Sequence, residues 1–333
     1  MTEKTINKAG IKKIAILTSG GDSPGMNAAI RAVVRSAIYN ELQVVGVMNG
    51  YSGLLKKDFI EMHSQSVSKV ISRGGTILKS SRCPEFHQKE MRQLAVDNMH
   101  AEGIDALVVL GGDGSFRGAH ELVSEFGFPV VGAPCTIDND IYGTDFTIGF
   151  DTALNTAVDA IDKIRDTADS HNIVFFVEVM GRHSGFIAIH TGIATGAEAT
   201  MLPETRTTIK DLCNYLVSER RKDKTSGIII VAEGDEEGGA AEIAEKVNKE
   251  LPEYETRVTT LGHIQRGGQP TCNDRVLASL LGYECVVALL NGQSGVMVGR
   301  SHNNIVHIPF LDAYTKHDEI DKTWLDISQI ISI

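Results

Sequence analysis

The chain lacks the features that would tie it to a disulfide framework, a membrane or a nucleic acid. Its five cysteines, Cys83, Cys135, Cys213, Cys272 and Cys285, are odd in number, scattered and without a CxxC pair, which indicates neither a disulfide scaffold nor a zinc site. Such usage fits a reducing, cytoplasmic setting. Basic residues are outnumbered, 32 Lys and Arg against 43 Asp and Glu for a formal charge of −11, which argues against an extended nucleic-acid surface or a basic membrane face. Long apolar runs are missing as well: Ala106–Leu110 and Ile228–Ala232 are the most apolar stretches, far too short to cross a bilayer. The opening Met1–Gly10 is polar and suggests no export signal. There is no short-period repeat and no low-complexity tract.

Several catalytic signatures are absent too. No GxxxxGK[ST] loop occurs, and no HRD or DFG set; Gly112, Gly114 and Gly118 form GxGxxxG, one residue too long for the dinucleotide fingerprint.

What is present is an ordinary globular composition, 42% hydrophobic and 23% charged over 333 residues, with an excess of glycine at 33. The length suits two domains, each with its own core. Short β-branched runs alternate with segments of helical period, which predicts an α/β fold with mostly parallel sheets covered by helices on both faces. The expected strands are Lys13–Leu17, Val44–Met48, Ala106–Leu110, Pro129–Ala133, Val174–Val179, Ile228–Val231 and Arg257–Leu261. Helices are expected over Ile30–Ile38, from Leu154 to Ile164, and around Leu212–Leu216 and Ile243–Val247. Two α/β halves of similar size are expected, with a soft boundary near residue 149 and a tail that crosses back.

Two expected strands run directly into glycine-rich turns that precede helices: Thr18-Ser19-Gly20-Gly21-Asp22-Ser23-Pro24-Gly25 and Gly111-Gly112-Asp113-Gly114-Ser115. Turns of this kind present backbone N–H groups and a helix dipole to a phosphate; they also serve simply as tight connections, and both readings stand open. Gly21-Asp22-Ser23-Pro24-Gly25 formally matches the GxSxG elbow of serine hydrolases. That mechanism takes an oxyanion-hole N–H from the residue after the serine, and Pro24 has none.

Thr136-Ile137-Asp138-Asn139-Asp140 follows a strand, and extended backbone there would put Asp138 and Asp140 on one side as a carboxylate pair; a solvated turn is the alternative. A calcium loop counted from Asp138 would need ligands at Tyr142 and Gly149, which cannot serve. Phosphoryl transfer to an alcohol needs a held magnesium, a base at the hydroxyl and cationic donors for the moving group. Asp113, Asp138 and Arg182 suit those roles, and Arg257, His263 and Arg266 add basic groups suited to a sugar phosphate.

Taken in order, TSGGDSPGMNAAIRAVVR (18 to 35), GGDGS (111 to 115), TIDNDIYGTDFTIGFDTA (136 to 153), VEVMGRHSG (177 to 185) and LGHIQRGGQP (261 to 270) closely resemble the bacterial ATP-dependent 6-phosphofructokinases, from Ile14 to about Ala288. The resemblance implies two Rossmann-like three-layer α/β/α domains. An ATP-binding domain would take residues 1–149 plus about 265–310, and a domain binding fructose 6-phosphate would take 150–264 plus about 311–333.

It also implies conversion of ATP and fructose 6-phosphate to ADP and fructose 1,6-bisphosphate with Mg2+, in a cytoplasmic homotetramer without nucleic-acid or membrane partners. ATP would be held by Gly21, Tyr51, Arg82, Cys83, Gly112, Asp113, Gly114 and Ser115, with Asp113 on the metal. Sugar contacts would be Thr136, Asp138, Met180, Gly181, Arg182, Glu233, His263 and Arg266, with Arg257 reaching in from a neighbouring subunit. Asp138 would be the base, Thr136 and Arg182 would steady the transferring phosphoryl, and Asp140 completes the catalytic set. An ADP or phosphoenolpyruvate effector would meet Arg31, Arg35, Arg165, Glu198, Lys222 and Lys224.

Departures from the family pattern are Ser64 for an arginine of the effector pocket, Ile173 for a cross-subunit arginine, and Cys135 where most ATP users carry glycine. Pyrophosphate-using relatives typically have a second Asp at position 114 and a Lys at position 135. Gly114 and Cys135 therefore favour ATP. The alternatives are a pyrophosphate-dependent enzyme, a kinase of another acceptor sharing the glycine-aspartate loop, and an inactive regulatory subunit; retention of Asp113, Asp138 and Arg182 speaks against the last.

Overall fold

The computed structural model describes residues 4–218 and 226–331. Its strands are β1 (Lys13–Thr18), β2 (Gln43–Val47), β3 (Phe59–Glu61), β4 (Ala106–Gly111), β5 (Val130–Thr136), β6 (Ile148–Gly149), β7 (Val174–Val179), β8 (Ala199–Met201), β9 (Gly227–Ala232), β10 (Thr256–Thr260), β11 (Val296–Ser301) and β12 (Asn304–Pro309). The helices are α1 (Met26–Tyr39), α2 (Tyr51–Lys56), α3 (Lys89–Ala101), α4 (Asp113–Phe126), α5 (Phe150–His171), α6 (Phe186–Thr195), α7 (Ile209–Leu216), α8 (Ala240–Glu250), α9 (Cys272–Leu290), α10 (Phe310–Thr315) and α11 (Lys322–Ile331).

The chain divides into two compact units. One takes the chain up to Thr136, Ile141–Thr152 and Arg266–Asp318; the other takes Ile137–Asp140, Ala153–Gln265 and the chain from Glu319 onward. Among the described residues their sheets have eight and four strands.

In the first unit the strand order is β12-β11-β5-β4-β1-β2-β3, with β6 beside β5. The inner strands are parallel, while β3 and β12 run antiparallel at the two edges. Side chains of a strand alternate between faces, and that alternation builds two separate cores. Ile14 and Ile16 of β1, with Ala106, Val108 and Leu110 of β4, pack under α1 and α9. Ala15, Leu17, Leu107 and Val109 face the opposite way, under α3 and α4. Strands buried on both faces must be apolar at every position, which is why Ala106–Leu110 reads as a continuous run. The second unit has a parallel sheet in the order β10-β7-β9-β8. Val174 and Phe176 of β7 and Ile229 and Val231 of β9 pack with Leu212, Ile243 and Val247 from α7 and α8.

Candidate active site

In the first unit the chain leaves β1 toward β2 and β3, then returns to place β4 on the other side of β1. Strand order reverses between these neighbours, and ligands of open α/β sheets collect at such points, outside the carboxyl ends of the strands. Both glycine turns lie there, since β1 and β4 are parallel with Thr18 beside Leu110, and the Ser19 N–H donates to the Leu110 carbonyl at 2.9 Å. The second turn leads into α4, whose first residue is the exposed Asp113. The helix dipole there favours an anion. A Cβ added to Gly112 would meet Thr136 Cβ at 3.7 Å, so the end of β5 borders the same turn. A Cβ on the exposed Gly114 would meet nothing within 4 Å.

Long-range neighbours complete this edge. A Cβ on Gly21 would stand 2.6 Å from Arg266 Nη1, and the same nitrogen lies 3.4 Å from the Asp22 carbonyl. Arg266 therefore rests on the first glycine turn, and a side chain at position 21 would push its guanidinium aside. Thr18 Oγ1 donates to the Lys79 carbonyl at 2.8 Å and Ser80 Oγ to the Gly20 carbonyl at 2.6 Å. These bonds draw in the loop that carries exposed Arg82 and half-buried Cys83; burial pushes the Cys83 thiol above its usual range. Tyr51 sits behind the second turn, buried, with its ring stacked on Phe86 at 4.2 Å and its hydroxyl donating to the Ser115 carbonyl at 2.5 Å. Burial raises its phenol well beyond the ordinary value. Ser23, the serine of the formal hydrolase match, is fully buried and donates to the Ile148 carbonyl at 2.9 Å.

In the second unit β7 lies between β9 and β10, and its end leads into Met180-Gly181-Arg182. Glu233, just past β9, accepts two N–H groups on one oxygen, from Gly181 at 3.3 Å and from Arg182 at 3.1 Å. Gln265, in the turn Gly262–Arg266 that follows β10, accepts the Met180 N–H at 2.9 Å. Arg182 adopts φ +54, the left-handed region that costs a non-glycine residue about 1 kcal/mol or more. Its Nε lies 3.7 Å from Asp138 Oδ2, with the Asp138 side chain buried and that of Arg182 half exposed. Ser184 Oγ donates to the Asp138 carbonyl at 3.1 Å.

The expected extended carboxylate pair is not formed. The strand stops at Thr136 and the backbone turns at Asn139 with φ +54, leaving Asp138 buried and Asp140 half-buried. Asparagine tolerates this conformation because its short side chain bonds locally. His263 is exposed, and Arg257 is exposed on β10, where Nη2 pairs with Glu255 at 2.5 Å.

Among known proteins, the family model described as Phosphofructokinase matches residues 13–289. The chain belongs to the phosphofructokinase family. ATP-dependent 6-phosphofructokinase 2 of Bacteroides thetaiotaomicron is 54% identical, over 97% of this chain and 99% of the relative. ATP-dependent 6-phosphofructokinase 1 of Thermus thermophilus is 50% identical, over 97% and 100%. Phosphofructokinase from Saccharomyces cerevisiae superposes with a TM-score of 0.85 at 37% identity over 97% of this chain, which spans 48% of the yeast chain. A pyrophosphate-dependent phosphofructokinase from Marinobacter aquaeolei shares the fold, with a TM-score of 0.82 at 22% identity over 94% and 86% of the two chains.

For this phosphofructokinase the residues expected around an effector are distributed over both units. Arg31 and Arg35 lie one turn apart on α1, and burial together with the Arg35 charge lowers the Arg31 guanidinium. Arg165 donates to the carbonyls of Thr195 and Gly196 and lies 3.5 Å from Glu198, whose other oxygen accepts the Ile228 N–H at 2.5 Å. Lys222 and Lys224 lie outside the described residues. Ser64 is exposed, and Ile173 is buried next to β7. Sequence reasoning assigned no role to Ser184 or Gln265, whose only signal was membership of the VEVMGRHSG and LGHIQRGGQP motifs.

Proposed function

We propose that the chain is an ATP-dependent 6-phosphofructokinase: it transfers the γ-phosphoryl group of ATP to the 1-hydroxyl of fructose 6-phosphate, giving ADP and fructose 1,6-bisphosphate, a step of glycolysis. The observation that carries the catalytic assignment is the buried Asp138 carboxylate beside the Arg182 guanidinium at 3.7 Å. Asp138 takes the proton of the 1-hydroxyl as its oxygen bonds to phosphorus, and the bond from phosphorus to the ADP oxygen breaks. Arg182, with Thr136, faces the charge on the moving group, where a fixed cation acts more strongly than water would. Asp140 belongs to the same segment as a supporting carboxylate.

The glycine turns of the first unit suit the nucleotide: Gly21, Gly112, Gly114 and Ser115 line it, Tyr51 supports the loop from behind, and Arg82 and Cys83 border it. Asp113, a single exposed carboxylate at the head of α4, suits Mg2+, which is commonly held by one or two carboxylates with phosphate oxygens filling its other positions. When bound, the ion supplies charge neutralisation on the donor phosphates. The open space at Gly114 fits a nucleotide donor, and the fully buried Cys135, its thiol held neutral by burial, supplies no cation for pyrophosphate.

The second unit, with Met180, Gly181, Glu233 and His263, takes the sugar phosphate, assisted by Arg266. Arg257 serves a neighbouring subunit of a cytoplasmic homotetramer. Arg31, Arg35 and Arg165 are assigned to an anionic effector, ADP or phosphoenolpyruvate. Among the described residues no helix is long and apolar enough to cross a membrane.

A coupled assay of the purified chain with fructose 6-phosphate and either ATP or pyrophosphate tests the reading. Turnover with ATP and Mg2+ is expected, and turnover with pyrophosphate alone overturns the donor assignment.

A further inference from the structure

Three successive backbone N–H groups, of Met180, Gly181 and Arg182, are each held by a side chain from a segment that follows a strand flanking β7. Glu233 reaches in from the β9 side and Gln265 from the β10 side. Gly234 packs so closely behind them that an added Cβ would stand 1.9 Å from the Arg182 carbonyl. The turn is thus clamped from both directions, and it needs to be, because Arg182 sits at a positive φ that an isolated chain would leave.

Gln265 is completely buried, and its Nε2 has no hydrogen-bond partner among the described residues. An amide half satisfied in the interior is a poor choice for stability alone, and such groups concentrate where a site demands them. Here the satisfied half is the acceptor, and what it accepts is the first N–H of the turn that carries Arg182.

We propose that Gln265 is a positioning residue for phosphoryl transfer: by accepting the Met180 N–H it fixes the turn that aims the Arg182 guanidinium at the Asp138 carboxylate. The proposal rests on the reading of Asp138 and Arg182 as catalytic. Gln265 touches no reacting atom. Without its oxygen, the N–H of half-buried Met180 must find another acceptor, and the cheapest response is rotation of the neighbouring peptides, which carries Arg182 out of its left-handed conformation. A displacement of about 1 Å at a catalytic group is enough to lose roughly a hundredfold in rate.

The test uses the full chain in a coupled assay with fructose 6-phosphate and ATP, with thermal melting of every variant. Gln265→Leu removes the acceptor at similar volume and is expected to lower kcat by roughly 10- to 100-fold with the KM for ATP unchanged. Gln265→Glu retains an oxygen for the Met180 N–H and should stay within about threefold of the parent, whereas a mere packing role would spare the similar-sized leucine variant as well. In an Arg182→Ala background, Gln265→Leu should cost less than about twofold, because residues acting through one another are not additive. If the leucine variant does not fold, Gln265→Asn, which withdraws the amide by one methylene, takes its place with the same expected losses.

Parental kcat in the leucine or asparagine variant refutes the proposal. So does an equal fold-loss in both backgrounds. A parent that does not turn over fructose 6-phosphate with ATP fails the site reading and takes this proposal with it. A parent and Arg182→Ala that behave as the reading requires, beside Gln265 variants that do not, remove this proposal alone.

Discussion

Replacement of Asp138 by alanine separates a catalytic carboxylate from a structural one. The side chain is 2% exposed and lies 3.7 Å from Arg182 Nε, while the arginine side chain is 53% exposed. At that distance and an effective dielectric near 20, the gross attraction is about 4 kcal/mol. Because water already reaches the guanidinium, the net contribution of the pair to folding shrinks to roughly 1 kcal/mol or less. Loss of a general base lowers turnover by about 10²- to 10⁴-fold, equivalent to about 2.7 to 5.4 kcal/mol on the barrier. The kinetic loss should therefore exceed the stability loss several-fold. Steady-state assays at saturating fructose 6-phosphate and ATP, run beside thermal melting, read both quantities. The expected variant is folded, with a nearly unchanged KM for ATP and a turnover reduced by at least about a hundredfold. Asp138→Asn, which keeps the shape and removes the basicity, should lose a comparable amount. An alanine variant as fast as the parent would refute the assignment of Asp138 as the base.

Gly114→Asp places a second carboxylate in open space at the head of α4, where an acidic side chain suits the helix dipole, so melting should be unchanged. Set about 4 Å from a bound phosphate it costs roughly 1 to 4 kcal/mol, so the KM for ATP should rise at least about fivefold; an unchanged KM places the triphosphate elsewhere. Burial pushes the His190 imidazole below its ordinary 6.5: the unfolded chain takes up this proton near 6.5 and the folded chain only at lower pH, so the contribution to stability is complete above 6.5 and declines as pH falls through that window. Melting of the parent between about pH 7.5 and pH 5.5 should drop more steeply than that of His190→Gln, and parallel slopes would contradict the account.

The amino-acid sequence by itself determined the element types and the chemistry on offer. Ala106–Leu110, Val174–Val179 and Ile228–Val231 are legible as buried strands because both faces of a parallel sheet require apolar residues, and the helical stripe beginning near Leu154 belongs to α5. The motifs also display which carboxylates, arginines and glycines stand at strand ends. The hairpin of β11 and β12 is not legible: β12 is partly exposed along its length, and its pairing exists only because β11 lies beside it. Helix α9 is apolar on nearly every side, so it carries no stripe to reveal it. Tertiary structure alone decided that Arg266 rests on Gly21, that Asn139 turns the backbone between Asp138 and Asp140, and that Glu233 and Gln265 grip one three-residue turn. Apart from the local turn at Asn139, these contacts join positions tens to hundreds of residues apart, and local periodicity contains no term for them; they follow only once strand order has set which ends lie side by side.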